Sequence, residues 1–90
     1  MGAVIKTVGV LGSGVIGASW ATLFLARGLK VILCDPAPGS KKNFEVYKAA
    51  AWSSLEKAGL PEGAQKNKNN YKVVNNLLEH MEEIDFVQEV

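Results

Sequence analysis

Residues Val8–Trp20 read VGVLGSGVIGASW, a β-branched apolar tract that runs into Gly12, Gly14 and Gly17 and leaves as a helical pattern. Ordering a glycine costs more backbone entropy than ordering any other residue. Three of them where a strand hands over to a helix therefore need a task that a side chain would obstruct. One such task is to bring bare main chain, at the start of a helix, against a bound phosphate.

Working outward, Ala3–Leu11 is expected to be a short strand buried on both faces. From Val15 the residues Ile16, Trp20, Leu23, Phe24 and Ala26 fit a helix, and Arg27-Gly28 fits its end. Lys30–Cys34 is a second apolar strand, closed by Asp35 and the turn-forming PAPGS. Ser40 is placed to cap the next helix, whose apolar set is Phe44, Tyr47, Ala51, Leu55 and Ala58, and Gly59 ends it. Leu60–Asn70 reads as a polar connection and Tyr71–Val74 as a third strand. Leu77, Leu78 and Met81 suggest a brief helix, and Ile84–Val90 a fourth strand. Trp20, Phe44, Tyr47 and Trp52 sit at helical spacings and are expected in the core. This alternation predicts an α/β fold over residues 1–90: a partial Rossmann-like parallel sheet of about four strands, order 3-2-1-4, with right-handed crossovers and helices on both faces.

A GxGxxG string alone says little, but here a strand precedes it, a helix follows it, and an acidic residue ends the next strand. In that context Gly12 turns the chain tightly off the strand, Gly14 lets the backbone approach a pyrophosphate, and Gly17 allows close helix packing. Asp35 follows Gly17 by eighteen residues, near the ~20 expected for the residue that binds the adenine ribose. Its charge would repel a 2′-phosphate, which favours NAD over NADP. Lys41 and Lys42 read as a solvated helix start, Cys34 as a small buried strand residue, and His80, far along the chain, as structural. No Cys/His cluster suggests a metal site, and no GKS or GKT follows the glycines, which argues against a nucleoside triphosphatase.

Bulk composition narrows the class. Ninety residues suit one small domain, and a net charge of +1 with interleaved Lys, Asp and Glu leaves no nucleic-acid footprint. The KNKNNYK run, Lys66–Lys72, reads as a solvated loop. A single cysteine allows no internal disulfide and suggests a reducing, cytoplasmic setting. The apolar start breaks at Lys6 and Thr7, well short of the ~20 residues of a membrane span, and is expected to be neither a secretory leader nor a myristoylation signal.

With those residues placed, the chain resembles the NAD-binding start of the 3-hydroxyacyl-CoA dehydrogenase family. The likeness runs through IKTVGVLGSGVIGASWATLFLARGLKVILCDPAPG, WSSLEKAGL and IDFVQE, and is strongest toward the branch of L-carnitine and L-gulonate 3-dehydrogenases (lambda-crystallin type). The resemblance implies hydride transfer from a 3-hydroxy carbon to NAD, giving a 3-oxo product. It places Gly12, Ser13, Gly14, Val15, Ile16 and Gly17 on the pyrophosphate, Asp35 on the adenine ribose and Glu89 beside the nicotinamide half. The Gln65–Asn70 segment departs from the family pattern. In the family the chain continues through a lysine-bearing segment and a Ser, His, Glu and Asn constellation into a helical domain. Those ninety residues are thus expected to carry a cofactor half with no catalytic residue, and a 3-hydroxy substrate only if the other half is supplied. Alternatives are a stand-alone dinucleotide-binding module and a flavin-binding half-domain. The fourth strand is expected at an open sheet edge, which invites marginal stability or a homo-oligomer.

Overall fold

The computed structural model describes residues 4–12 and 14–90; Ala3 and Ser13 lie outside them. The chain runs β1 (Thr7–Leu11), α1 (Gly14–Ala26), β2 (Lys30–Cys34), α2 (Ser40–Ala58), a 3₁₀ turn at Ala64–Asn67, β3 (Tyr71–Val74), a second 3₁₀ turn at Leu77–His80, and β4 (Phe86–Glu89). The four strands form one parallel sheet in the order β3-β2-β1-β4. In register, Val8 of β1 lies between Val31 of β2 and Phe86 of β4.

Strand alternation divides the core in two. Val8, Val10, Val31 and Leu33 face α1 and α2 and pack with Ala18, Ala21, Leu25, Phe44 and Trp52. Ile32 and Cys34 face the other way, against Leu77, Ile84 and Val87. That second face is covered by the 3₁₀ turn at Leu77–His80, where the sequence suggested a brief helix. Gly9 makes this cover fit: a Cβ there would come within 3.0 Å of Ile84 Cδ1 and 3.3 Å of Leu77, the close approach that a glycine inside a strand often marks.

The first helix turns a different side to the sheet from the one its large residues suggested. Its buried residues are Gly17, Ala18, Ala21, Thr22, Leu25 and Ala26, and Trp20, expected in the core, is exposed and stacked on Phe24 at 5.7 Å between ring centroids. Small residues let the helix axis come close to the sheet, and in a helix apolar on every side size does not identify the buried stripe. Gly28 stops α1 with φ +86°, while Gly28 N–H donates to Leu25 O and Leu29 N–H to Phe24 O, the paired bonds that satisfy the last carbonyls of a helix.

In α2 the buried line is Phe44, Lys48 and Trp52, with Tyr47, Ala51 and Leu55 on its flank and Ala58 exposed, contrary to expectation. Lys48 is buried through its stem, with its ammonium donating to Lys68 O at 3.1 Å and Asn69 Oδ1 at 2.7 Å and lying 4.5 Å from the Tyr71 ring centroid. Burial, then the nearby Lys68 charge, holds its pKa below the usual lysine value, and Glu45 opposes them. The Lys66–Lys72 run is therefore more than a solvated loop. Asn67 within it donates from Nδ2 to Leu25 O and Leu29 O, both at 2.8 Å, and so ties the end of α1 to the entry of β3.

Candidate functional site

Parallel strands place their C-terminal ends on one rim, and ligands in open α/β sheets bind there. At this rim β1 is followed by Gly12, whose φ of +146° suits glycine. A Cβ on Gly12 would lie 2.7 Å from Val90 Cβ, and one on Gly17 would lie 3.1 Å from Gly12 O. Gly12 and Gly17 thus let the turn, the first turn of α1 and the residue after β4 crowd together. Gly14 behaves differently: φ is +74° and a Cβ would meet nothing within 4 Å. Its main chain is bare and faces open space, the form expected of a backbone that receives a ligand. Among the described residues no acidic side chain sits in the first turn of α1, and the positive dipole end of a helix favours an anion.

Gly12, Gly14, Val15, Ala18, Leu33, Asp35, Ser40 and Phe44 are among the residues lining one hollow of about 360 Å³. A second hollow, about 460 Å³, lies across Gly12 and is lined by Leu11, Cys34, Pro36, Glu89 and Val90. The structure therefore brings Gly12, Gly14, Val15 and Asp35 together, with Glu89 on the adjoining hollow. Gly17 is buried beneath the loop, and Ile16 is exposed and lines neither hollow. Ser13 belongs to the same loop by sequence but lies outside the described residues.

Asp35 follows β2 directly and is buried apart from a small fraction of its surface. Its Oδ1 accepts from Ala37 N–H at 3.1 Å, and its Oδ2 has no hydrogen-bond partner among the described residues. Ser40 does not cap α2 as expected. Gly39, left-handed at φ +76°, holds the cap position without a side-chain bond, and the Ser40 hydroxyl turns back to donate to Asp35 O at 3.0 Å.

The other candidates do not line the hollow of Gly14 and Asp35. His80 is half-buried, with Nδ1 3.4 Å from Glu83 Oε2, and Glu83 also pairs with Lys30 at 3.1 Å and Lys72 at 3.3 Å. Lys30 opens β2, so this cluster stands at the opposite end of the sheet. The Lys30 bond, helped by His80 and Lys72, lowers the Glu83 pKa to about 2. Cys34 is buried with Sγ 3.7 Å from Asn75 O, and Lys41 and Lys42 are exposed. Among the described residues no group of His, Cys, Asp and Glu could hold a metal ion, and no helix is long and apolar enough to cross a membrane.

Residues 7–90 match the family described as 3-hydroxyacyl-CoA dehydrogenase, NAD binding domain. An L-carnitine dehydrogenase from a Pseudomonas species is 45% identical over 85 residues, which are 94% of this chain and 26% of that protein. A 3-hydroxyacyl-CoA dehydrogenase from Gibberella moniliformis is 41% identical over the same number of residues, again 94% of this chain and 26% of that protein. Among solved structures, that of a diketoreductase superposes with a TM-score of 0.79 at 26% identity, covering 96% of this chain and 31% of that one. The chain thus spans about a quarter of the length of the curated relatives it matches.

Proposed function

From the premise that this chain belongs to the 3-hydroxyacyl-CoA dehydrogenase family as its NAD-binding domain, we propose that the Gly12–Gly17 loop and Asp35 hold NAD for the oxidation of a 3-hydroxy substrate. The observation that carries the reading is the pairing, around one hollow, of an unobstructed Gly14 main chain with a carboxylate of which one oxygen accepts from Ala37 N–H and the other has no partner among the described residues. The site fits the cofactor on its own chemistry. Bare amides at the start of α1 suit a diphosphate, and a carboxylate one strand over suits the hydroxyls of a ribose while opposing a 2′-phosphate.

In this reading Gly12, Ser13, Gly14 and Val15 receive the pyrophosphate, with Gly17 setting the distance between loop and helix. Ile16 completes the loop from an exposed position. Asp35 accepts from the ribose, and Glu89, at the end of β4 on the neighbouring hollow, borders the nicotinamide half. When bound, NAD accepts the hydride of a secondary alcohol, whose hydroxyl proton must pass to a base. The one histidine lies beside Glu83 at the far end of the sheet, so in this reading it is not that base, and the part of these 90 residues is to hold the cofactor. Its relatives' names support carnitine or a 3-hydroxyacyl-CoA as the substrate class. The setting is cytoplasmic, in keeping with the lone buried thiol, and β4 at the sheet edge supports self-association.

Titration of the chain with NAD tests the reading. Asp35→Ala is expected to weaken binding by about one to two powers of ten, from ~1.5–3 kcal/mol for a hydrogen bond to a charged group. An unchanged dissociation constant removes Asp35 from the site.

A further inference from the structure

The PAPGS turn leaves Asp35 little freedom. Its N–H donates to Val74 O at 3.1 Å, which ties it to the end of β3. Its carbonyl accepts the Ser40 hydroxyl, which ties it to the first turn of α2. Between Asp35 and Gly39 the residues are Pro36, Ala37 and Pro38, and proline has no N–H. Ala37 therefore carries the only amide hydrogen within the three, and it is committed to Asp35 Oδ1. Ser40 closes the turn a second time, through its own N–H to Ala37 O at 3.2 Å.

We propose that Ser40 is a positioning residue for cofactor selectivity: its hydroxyl locks the turn that presents Ala37 N–H to Asp35, and so fixes Asp35 in the one orientation that reads a ribose diol. The inference rests on Asp35 as the ribose-binding residue. Pre-organised groups bind more tightly because less motion is lost on binding. The hydroxyl bonds the Asp35 main chain and leaves its carboxylate untouched, so it acts on the ligand through the turn. Ser40→Ala keeps the volume nearly constant and leaves the N–H of residue 40 in place, which isolates that single bond.

The experiment is a double-mutant cycle on the 90-residue chain, with NAD and NADP titrated calorimetrically against wild type, Ser40→Ala, Ser40→Thr, Asp35→Ala and the double variant. Thermal melts confirm that each remains folded at the titration temperature. Ser40→Ala is expected to weaken NAD binding about three- to tenfold, in the range of one ordinary hydrogen bond, and to leave NADP binding unchanged, so that the NAD:NADP ratio falls. Ser40→Thr, which keeps the hydroxyl, restores the ratio. Within the Asp35→Ala background, Ser40→Ala has no further effect. A purely structural role would lower the melting temperature and leave the ratio alone. Additive losses in the double variant, or a Ser40→Ala ratio equal to wild type while Asp35→Ala is impaired, overturn the proposal. If Asp35→Ala itself binds NAD normally, the ribose assignment fails first, and that failure is read from a different row of the cycle.

Discussion

Replacing Gly17 by alanine separates a packing glycine from a merely flexible one. Gly17 lies inside α1 with helical backbone, where alanine is intrinsically better than glycine by about 1 kcal/mol. Against that gain, the new Cβ would stand 3.1 Å from Gly12 O and 3.3 Å from Gly12 C. Both atoms are backbone, so relief requires the loop and the helix to part by a few tenths of an ångström. Overpacking of this kind costs about 1–3 kcal/mol, and the net is a destabilisation of ~0–2 kcal/mol. In a domain this small that lowers the melting temperature by up to about 15 °C, taking ~4–8 °C per kcal/mol. The loss of NAD affinity should be more telling, because the atom displaced belongs to the loop that faces the ligand. Weakening one charge-assisted bond there, at ~1.5 kcal/mol, corresponds to about tenfold. Gly28→Ala supplies the control. Its φ of +86° in open space makes alanine unfavourable by ~1–2 kcal/mol, at the far end of the same helix. Calorimetric titration with thermal melts should show both variants destabilised and only Gly17→Ala impaired in binding. Equal affinities for Gly17→Ala and wild type, or equal losses in both variants, would mean that the contact between Gly17 and Gly12 does not shape the binding loop.

Two further outcomes concern the scaffold. Asn67→Ala removes the amide that serves Leu25 O and Leu29 O; Leu25 O keeps the Gly28 N–H, so the loss should cost ~1–2 kcal/mol and lower the melting temperature by about 4–16 °C. Acid stability should depend on Glu83 and Asp85. Glu83 falls from its ordinary 4.5 to about 2 through Lys30 first, with His80 and Lys72 adding. Asp85 is lowered by the N–H groups of Lys6 and Thr7, which donate to its Oδ2 at 2.9 and 3.0 Å. A carboxylate depressed in the folded state binds fewer protons there than in the unfolded chain, so its contribution is complete above the ordinary value and fades as pH falls. The gap in melting temperature between wild type and Glu83→Gln should therefore close between pH 4.5 and about 2; a gap independent of pH across that window would show that the cluster does not act through ionisation.

Much of the fold was legible because each level of the sequence pointed the same way. The strand-like tracts, the glycines at the β1–α1 handover and the single acid after β2 together specify a parallel sheet and a rim with a site. The 3-2-1-4 order is the one expected of half a dinucleotide-binding fold, and the sheet has that order. What escaped were features set by which side of an element meets its neighbour. Trp20 and Ala18 fit a helical period equally well, and only the sheet's need for close approach chooses the small residue. Lys48 was hidden because a long stem can lie in the core while its ammonium finds a carbonyl. The role of Asn67 depends on the end of α1 passing beside it, a contact across forty-two residues of chain. Ser40 has the right identity for a helix cap, but the left-handed Gly39 before it takes that position. Gly9 did carry a readable signal, an isolated glycine within a strand, and its reason is the packing of Leu77 and Ile84 above it.

Backbone amide chemical shifts followed during an NAD titration locate the bound cofactor residue by residue. The predicted result is a saturable change centred on Gly12, Gly14, Val15 and Asp35, with Lys30, His80 and Glu83 at the opposite end unmoved. Saturation without perturbation of the glycine loop, or changes centred on the Glu83 cluster, would contradict it.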